Sequence, residues 1–348
     1  MDCIETKRLP QDRTETYLLL VPLALPTRKT QMTTTIRFHQ YGGPDVLEVE
    51  DEQVGAPAAG QVRLRHEAIG VNFIDTLFRQ GVFPTPLPSV PGVEGAGVVE
   101  AVGPGVNGFA VGDHVAYFLA PGSYAAVRLI DANALLKVPD DLSSEQVVTV
   151  LTKGLTAWAG LNGFHQLKAG ETVLVQGASS SVGMLISRWA KALGATVIGT
   201  AGSEVKRAAL ANDIDHVLAS GDADLAAQIR RIALDGVDVV YEFVGKATFA
   251  ASAAAVRDGG KIVTIGAASG QPDIDQAGLA SRGVRIVGGP MAQHAQPAIG
   301  QASRAVFDAY RKGVFGALEV TRYPLVQAAR AHEDIASRRK AGAIILVP

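Results

Sequence analysis

The segment Glu171-Thr-Val-Leu-Val-Gln-Gly-Ala-Ser-Ser-Ser-Val-Gly183 constrains this chain more than any other. Its apolar run, Thr172 to Val175, reads as a buried parallel strand. The run ends in a turn made almost wholly of Gly, Ala and Ser. A helical pattern follows from Val182 to Leu193, and Gly194 stands where a left-handed residue would end it. A second apolar run begins at Ala195 and reaches Ile198. Strand, tight turn, helix and strand make a βαβ unit whose helix aims unpaired N–H groups at whatever lies above the turn. A pyrophosphate is the expected occupant, and a dinucleotide the expected ligand. Ser180 stands where the G-x-G-x-x-G fingerprint has its second glycine. Small residues there still let a phosphate approach the backbone, and three serine hydroxyls can donate to it. A strand–turn–helix with no ligand is the alternative reading of this turn taken alone.

A length of 348 residues predicts two domains. A hydrophobic content of 47% with 38 Gly and 17 Pro fits a globular α/β protein rich in turns. The net charge is −2 with both signs mixed along the chain, which gives no electrostatic footprint for nucleic acid or an anionic membrane. Cys3 is the single cysteine, which excludes a disulfide framework and a cysteine-built zinc site. A reduced, cytoplasmic protein is expected. No run approaches the ~20 apolar residues of a membrane span. Tyr17 to Leu25 is interrupted by Pro22, and acidic Glu5, Asp12 and Glu15 lie among the basic residues before it. That pattern favours a disordered extension over residues 1–31, rather than a signal peptide. The folded body is expected to start near Met32.

Residues 33 to about 150 read as short strands broken by Gly and Pro. Gln61–Ala68, Gly95–Val102, His114–Phe118 and Ser123–Leu129 are the clearer ones. From Glu171 strands and helices alternate. Strands are expected at Glu171–Gln176, Ala195–Thr200, His216–Leu218, Val237–Phe243, Lys261–Gly266 and Val284–Val287. Helices between them predict an α/β, doubly wound, parallel six-stranded sheet. Two further helices, about Ala298–Lys312 and Leu325–Arg338, follow, the second with Pro324 at an N1-like position. A lone last strand, Ala343–Val347, needs a sheet to join. The β-rich first domain is its natural host. That domain is therefore expected over 32–153 and 296–348, with a nucleotide-binding domain over 154–295 inserted in it.

Cofactor choice turns on the end of the second parallel strand, where NAD enzymes place an acid for the ribose 2′-OH. Here the strand ends Gly199-Thr-Ala-Gly202-Ser203 with no carboxylate, and Lys206 and Arg207 follow within a turn. Cations and hydroxyls suit a 2′-phosphate, so NADPH is favoured over NADH. Glu204 weighs against this, and a solvated helix face is the plainer reading of the two cations. No G-x-S-x-G nucleophile elbow is present, and the seven histidines lack ligand spacing such as H-E-x-x-H. Asp75, close to Asn72, is a candidate general acid, although an Asp at the start of a helix is more often a cap.

Several motifs then occur in a telling order: Tyr41-Gly-Gly-Pro-Asp-Val-Leu47, Gly70-Val-Asn-Phe-Ile-Asp-Thr76, Pro91-Gly-Val-Glu-Gly-Ala-Gly97, Val111-Gly-Asp-His-Val115, Lys153-Gly-Leu-Thr156 and Trp189-Ala-Lys-Ala-Leu-Gly-Ala195. Together they resemble the medium-chain dehydrogenase/reductase superfamily, and most closely its zinc-independent, zeta-crystallin-like quinone oxidoreductases. The resemblance runs from about Thr35 to Pro348. It implies a Rossmann NADPH-binding domain inserted in a GroES-like catalytic domain. Zinc alcohol dehydrogenases carry a metal-binding Cys where Asn72 stands and Gly-His-Glu where this chain has Gly92-Val93-Glu94, so no metal is expected. An electron-poor quinone or enone needs less activation than an alcohol.

By the same resemblance, Asn72 lies by the nicotinamide and hydrogen-bonds the acceptor oxygen, and Thr156 is the threonine beside it. Ser180, Ser181, Val182 and Gly183 match the pyrophosphate turn. Gly202, Ser203 and Lys206 match the adenosine-phosphate side. Phe243, Val244 and Gly245, with Gly266 and Ala267, match the strand ends over the cofactor, and Arg338 the late arginine that reaches the 2′-phosphate. Ser220 stands where relatives have a tyrosine by the adenine, and Leu77 and Phe83 where relatives have tyrosines lining the acceptor cleft.

The expected activity is therefore zinc-independent NADPH:quinone reduction in the interdomain cleft by a homodimer. An alkenal or enone reductase on the same scaffold is one rival. A non-catalytic NADPH-binding protein, used as a crystallin or bound to RNA, is another, and the mixed charge argues against the RNA partner. No membrane or nucleic-acid partner is expected.

Overall fold

The computed structural model describes residues 31–337 and 342–348. The expected extension lies outside these residues except for Gln31, which opens the first strand.

Two sheets organise the chain. The first half supplies β1 (Gln31–Arg37), β2 (Glu48–Val54), β3 (Gln61–Val71), β4 (Glu94–Val102), β5 (His114–Phe118), β6 (Val127–Asp131) and β7 (Leu135–Lys137). Helix α1 (Phe73–Arg79) follows β3, and α2 (Ser144–Trp158) leaves the β-rich region. An alternating stretch then runs β8 (Thr172–Gln176), α3 (Ser181–Ala192), β9 (Thr196–Ala201), α4 (Glu204–Leu210), β10 (His216–Ala219), α5 (Leu225–Ile232), β11 (Val237–Glu242), α6 (Phe249–Ala255), β12 (Val256–Thr264), α7 (Gln276–Ser281) and β13 (Arg285–Gly288). Helices α8 (Ala292–Ala295) and α9 (Ile299–Arg311), strand β14 (Val320–Pro324), helix α10 (Ala328–Ser337) and strand β15 (Ala343–Val347) complete it.

Strands β8 to β13 form one parallel sheet in the order β10-β9-β8-β11-β12-β13. The order reverses between β8 and β11, the topological switch where such sheets bind ligands beyond their strand ends. The second sheet runs β14-β15-β3-β4-β5-β7, with β6 also pairing β3. The last strand thus returns to the first domain: β15 pairs antiparallel with β3, Ile345 opposite Gly70. Strands β1 and β2 form a separate antiparallel pair.

Helix α2 joins the two halves. Nearly every residue from Val147 to Trp158 is buried, because α3 and α9 pack on it as well as β3, β4 and β15. Gly154 makes the α9 contact possible: a Cβ there would lie 2.5 Å from Val306 Cγ1. The expected domain boundary at 153/154 falls inside this helix.

Several element boundaries differ from expectation. The strand expected at Ser123–Leu129 is displaced to Val127–Asp131, since Gly122 takes a φ of +93° and the chain turns through Ser123 and Tyr124. Pro324 does not open a helix: it ends β14, at the sheet edge where a missing N–H costs no ladder bond, and a 3-10 turn follows. Gly194 does end α3, with a φ of +89°.

Candidate functional site

The turn after β8 is built for close approach. Gly177 has a φ of +73°, and a Cβ on Gly183 would lie 2.4 Å from the Gly177 carbonyl oxygen. Any larger residue at 183 would push α3 off the strand. Ser180 caps α3: its Oγ accepts the Gly183 N–H at 3.1 Å. The N–H groups of Ser181 and Val182 belong to the first turn and have no partner within the helix, and no acidic residue occupies that turn. This positive end suits a pyrophosphate. Ser181 does a different job from the expected one: its Oγ donates to the Gly342 carbonyl at 2.8 Å, tying the turn to the segment before β15.

The end of β9 carries no carboxylate. Ser203 caps α4, its Oγ accepting the Lys206 N–H at 3.4 Å. Arg207 is paired with Glu204, which satisfies the acid that argued against a 2′-phosphate. The exposed Lys206 ammonium makes no hydrogen bond or ion pair among the described residues. Ser220, following β10, faces this loop: its Oγ lies 3.7 Å from the Cβ position of Gly202. Arg338 lies outside the described residues.

Beneath these turns runs a buried polar network that sequence reasoning missed. Glu242 is fully buried at the end of β11. Its Oε1 accepts the N–H groups of Val244 (2.9 Å) and Gly245 (3.0 Å) and the Thr248 hydroxyl (2.8 Å). Its Oε2 accepts the Ser252 hydroxyl at 2.7 Å. Gln176 donates to Ser252 Oγ at 3.1 Å and accepts from Thr200 Oγ1 at 2.7 Å, and Thr200 in turn accepts the Gly177 N–H at 3.2 Å. One network therefore fixes both the Gly177 turn and the Phe243–Gly245 turn, where Gly245 has a φ of +89°. The Gly266 N–H joins the same strand end, donating to the Glu242 carbonyl at 3.2 Å, and Ala267 packs against the Cβ position of Gly245 at 3.0 Å. The available signal was a lone Glu closing the apolar run Val237–Tyr241.

A second cluster surrounds Asn72, the N-cap of α1 and 8% exposed. Its Nδ2 donates to Glu94 Oε2 at 2.8 Å and, at 3.5 Å, to the Gly70 carbonyl. Glu94 is fully buried, and its Oε1 accepts the Thr152 N–H at 2.8 Å. Thr156 lies one turn along α2, and its Oγ1 donates to the Thr152 carbonyl at 2.7 Å. Lys153, 6% exposed, brings its Nζ to 3.4 Å from Asn72 Oδ1. The fold thus gathers Asn72 and Thr156 around Glu94 and Lys153, neither of which the sequence singled out by its chemistry.

Asp75 proves to be a cap: its Oδ2 accepts the Asn72 N–H at 2.8 Å. It also ends a buried chain. Arg79 Nη1 donates to His332 Nδ1 (3.2 Å), so His332 Nε2–H donates to Tyr124 Oη (2.9 Å), and Tyr124 O–H donates to Asp75 Oδ2 (3.1 Å). Burial holds His332 down at about 3, with the Arg79 charge adding to it, so the ring is neutral as this order of donors requires. Burial pushes Asp75 up to about 7, opposed by the Asn72 N–H and the Tyr124 hydroxyl, and less strongly by Lys153.

Leu77 is half-buried on α1, and its carbonyl accepts the Val82 N–H at 3.0 Å, folding the next loop back on the helix. Phe83, in that loop, is 45% exposed and packs its ring 5.8 Å from Phe78. Both flank α1 beyond Asn72, and no contact joins them to it.

Comparison with known proteins agrees with these two centres. Residues 58–140 match the alcohol dehydrogenase GroES-like domain and residues 181–305 the zinc-binding dehydrogenase family. A 2-haloacrylate reductase of a Burkholderia species is 39% identical, over 89% of this chain and 98% of its own length. A quinone oxidoreductase of Pseudomonas aeruginosa is 38% identical, over 91% and 100%. The crystal structure of a Pseudomonas syringae quinone oxidoreductase superposes with a TM-score of 0.86 at 37% identity, over 91% of this chain and all of that one. The Escherichia coli quinone oxidoreductase solved in complex with NADPH gives a TM-score of 0.85 at 34% identity, over 90% and 100%. The glycine-pinned turn on α3, the parallel sheet with its switch point and these matches over most of the chain lead to one assignment: the chain belongs to the quinone oxidoreductase branch of the medium-chain dehydrogenase/reductase superfamily.

Proposed function

We propose that this chain is an NADPH-dependent, zinc-independent quinone reductase that works in the cleft between its two domains. The observation that carries this reading is the pairing of the α3 amino end with a β9 end that has an unpaired Lys206 and no carboxylate. Those features fit a dinucleotide with a 2′-phosphate. Gly177, Ser180, Val182 and Gly183 would hold the pyrophosphate, and Gly202, Ser203, Ser220 and Lys206 the adenosine end, with Arg338 reaching it. The Phe243–Gly245 turn, Gly266 and Ala267 would border the nicotinamide side. Bound NADPH supplies a hydride. The protein's part is to orient the reactants, exclude water and stabilise the oxygen that becomes negative.

The side chains around Asn72 support zinc independence. Asn72 offers an amide whose N–H points at Glu94, and Val93 offers no donor atom. Neither suits a tetrahedral zinc centre. Acceptors that are already electron-poor match such a site. Leu77 and Phe83 would give the cleft an apolar wall suited to an aromatic ring. Among the described residues no helix is long and apolar enough to cross a membrane. A cytoplasmic homodimer is part of the proposal.

The identity to a 2-haloacrylate reductase favours one second reading, reduction of an activated C=C bond at the same site. Parallel assays of NADPH oxidation with 1,2-naphthoquinone, 2-chloroacrylate and an alkenal separate the two. A kcat/KM highest for the quinone supports the first reading, and one highest for chloroacrylate or the alkenal replaces it with the second.

A further inference from the structure

We infer that Lys153 is a catalytic residue of this site: its ammonium donates a hydrogen bond, and then a proton, to the acceptor oxygen as that oxygen becomes negative. This rests on the proposed reduction of a quinone or enone beside Asn72.

The argument is a count of donors. A developing oxyanion needs N–H or O–H groups aimed at it. Asn72 is the residue that resemblance to relatives assigns to this task, yet its amide is committed elsewhere. Nδ2 donates to Glu94 Oε2 at 2.8 Å and is 3.5 Å from the Gly70 carbonyl. Flipping the amide would set Oδ1 against the Glu94 carboxylate and Nδ2 against the Lys153 ammonium, two repulsive contacts in place of two attractive ones. Glu94 itself is immobilised by the Thr152 N–H. The Thr156 hydroxyl is equally committed, donating to the Thr152 carbonyl at 2.7 Å.

Lys153 is different. It has three protons, and Asn72 Oδ1 at a long 3.4 Å is its one acceptor among the described residues. It is 6% exposed, so its head is held within the cluster rather than extended into water. The Asn72 oxygen steers it, and the Glu94 carboxylate behind the amide balances its charge. Two other groups could compete. Thr152 Oγ1 is buried with no partner, but it is a neutral hydroxyl with no base beside it. Asp75 is fully buried, and its Oδ2 already accepts from Asn72 and Tyr124.

The step balances simply. A hydride, one proton with two electrons, leaves NADPH, which becomes NADP+, and the acceptor becomes a hydroquinone monoanion or an enolate. One N–H bond of Lys153 breaks and one O–H bond forms on that oxygen. The neutral amine then regains a proton from solvent.

The test uses Lys153→Met, Lys153→Arg and Thr152→Val in the full chain, with NADPH affinity followed by its fluorescence as the check on folding. Lys153→Met should bind NADPH as the wild type does and lose about 100-fold in kcat with 1,2-naphthoquinone. Its loss with an alkenal should be about ten times larger still, because the enolate is the more basic oxyanion and depends more on proton donation. A residue that only supports the fold would depress both acceptors alike. Lys153→Arg keeps a cation and should retain at least roughly a tenth of the wild-type rate. A readout without turnover is the binding of 4-nitrophenolate, which mimics the hydroquinone monoanion. Its affinity should fall about tenfold or more in Lys153→Met, with neutral nitrobenzene unaffected. Equal losses for both acceptors, unchanged phenolate binding, or a larger loss in Thr152→Val than in Lys153→Met would overturn the role of Lys153. A wild type that reduces neither acceptor would instead overturn the underlying function.

Discussion

Glu242 Oε1 accepts the backbone N–H of Val244 at 2.9 Å, so a buried carboxylate sets the conformation of a turn expected to border the cofactor. The same carboxylate reaches Gly177, on the other side of the switch point, through Ser252, Gln176 and Thr200. Replacing Glu242 with Ala strands two N–H groups and two hydroxyls in the interior. A loss of at least about 3 kcal/mol of folding stability is expected, since each orphaned buried donor costs ~1–3 kcal/mol. Glu242→Gln keeps Oε1 as an acceptor and lets Nε2 donate to Ser252, so it should retain most of the stability. Urea melts of the two variants make the comparison, and similar losses in both would show that the donors find other partners.

The cofactor preference should reside in Lys206. Removing a charge-assisted contact to a phosphate costs about 1.5–3 kcal/mol. Lys206→Ala should therefore weaken NADPH roughly 10- to 100-fold and leave NADH nearly unchanged. Fluorescence titrations with both cofactors check this, and equal weakening of the two would remove Lys206 from the 2′-phosphate site.

A pH effect follows from His66. The ring is fully buried, Nδ1 donating to the Ala125 carbonyl at 2.6 Å and Nε2 accepting from Tyr117 Oη at 2.8 Å. Burial lowers it from 6.5 to about 3, so the folded protein holds it neutral where the unfolded chain would take a proton. Its contribution to stability is complete above pH 6.5 and is lost as pH falls toward 3. His332 has the same sign, whereas Asp75, raised to about 7, favours folding at the acid end of that range. In His66→Gln the slope of stability against pH between 6 and 4 should drop by about 1.4 kcal/mol per pH unit. Denaturant midpoints across that range measure it, and an unchanged slope would mean that His66 titrates normally.

Strand β13 forms one end of the parallel sheet, with Ile286 paired to Ile262 of β12 on one side only. An open edge of this kind is expected to pair with its copy across a two-fold axis. Light scattering should give a dimer for the wild type and a shift toward monomer for Ile286→Pro, which removes an edge N–H. A wild-type monomer at micromolar concentration would contradict the pairing.

The nucleotide-binding half was legible because each of its features is local. The apolar run Thr172–Val175, the small residues after it and Gly194 are read within one turn of each other, and β8, α3 and β9 form close to where they were expected. Strand β2 was not legible: Glu48–Val54 is almost wholly polar and exposed, and only its pairing with β1 makes it a strand. The acceptor side was legible only in part, for the same reason carried further. Asn72 could be read by resemblance, but Glu94 and Lys153 acquire meaning only when β4 and α2 bring them to it. The chain from Arg79 to His332 likewise joins residues at opposite ends of the sequence, and no spacing rule connects them.

The most direct test of the central claim is NADPH oxidation by wild-type enzyme stripped of metal with a chelator, measured with 1,2-naphthoquinone alongside elemental analysis and an NADH control. The account predicts full turnover with NADPH, much slower turnover with NADH and no stoichiometric zinc. One tightly held zinc per chain whose removal abolishes quinone reduction, or no quinone-dependent NADPH oxidation at all, would contradict it.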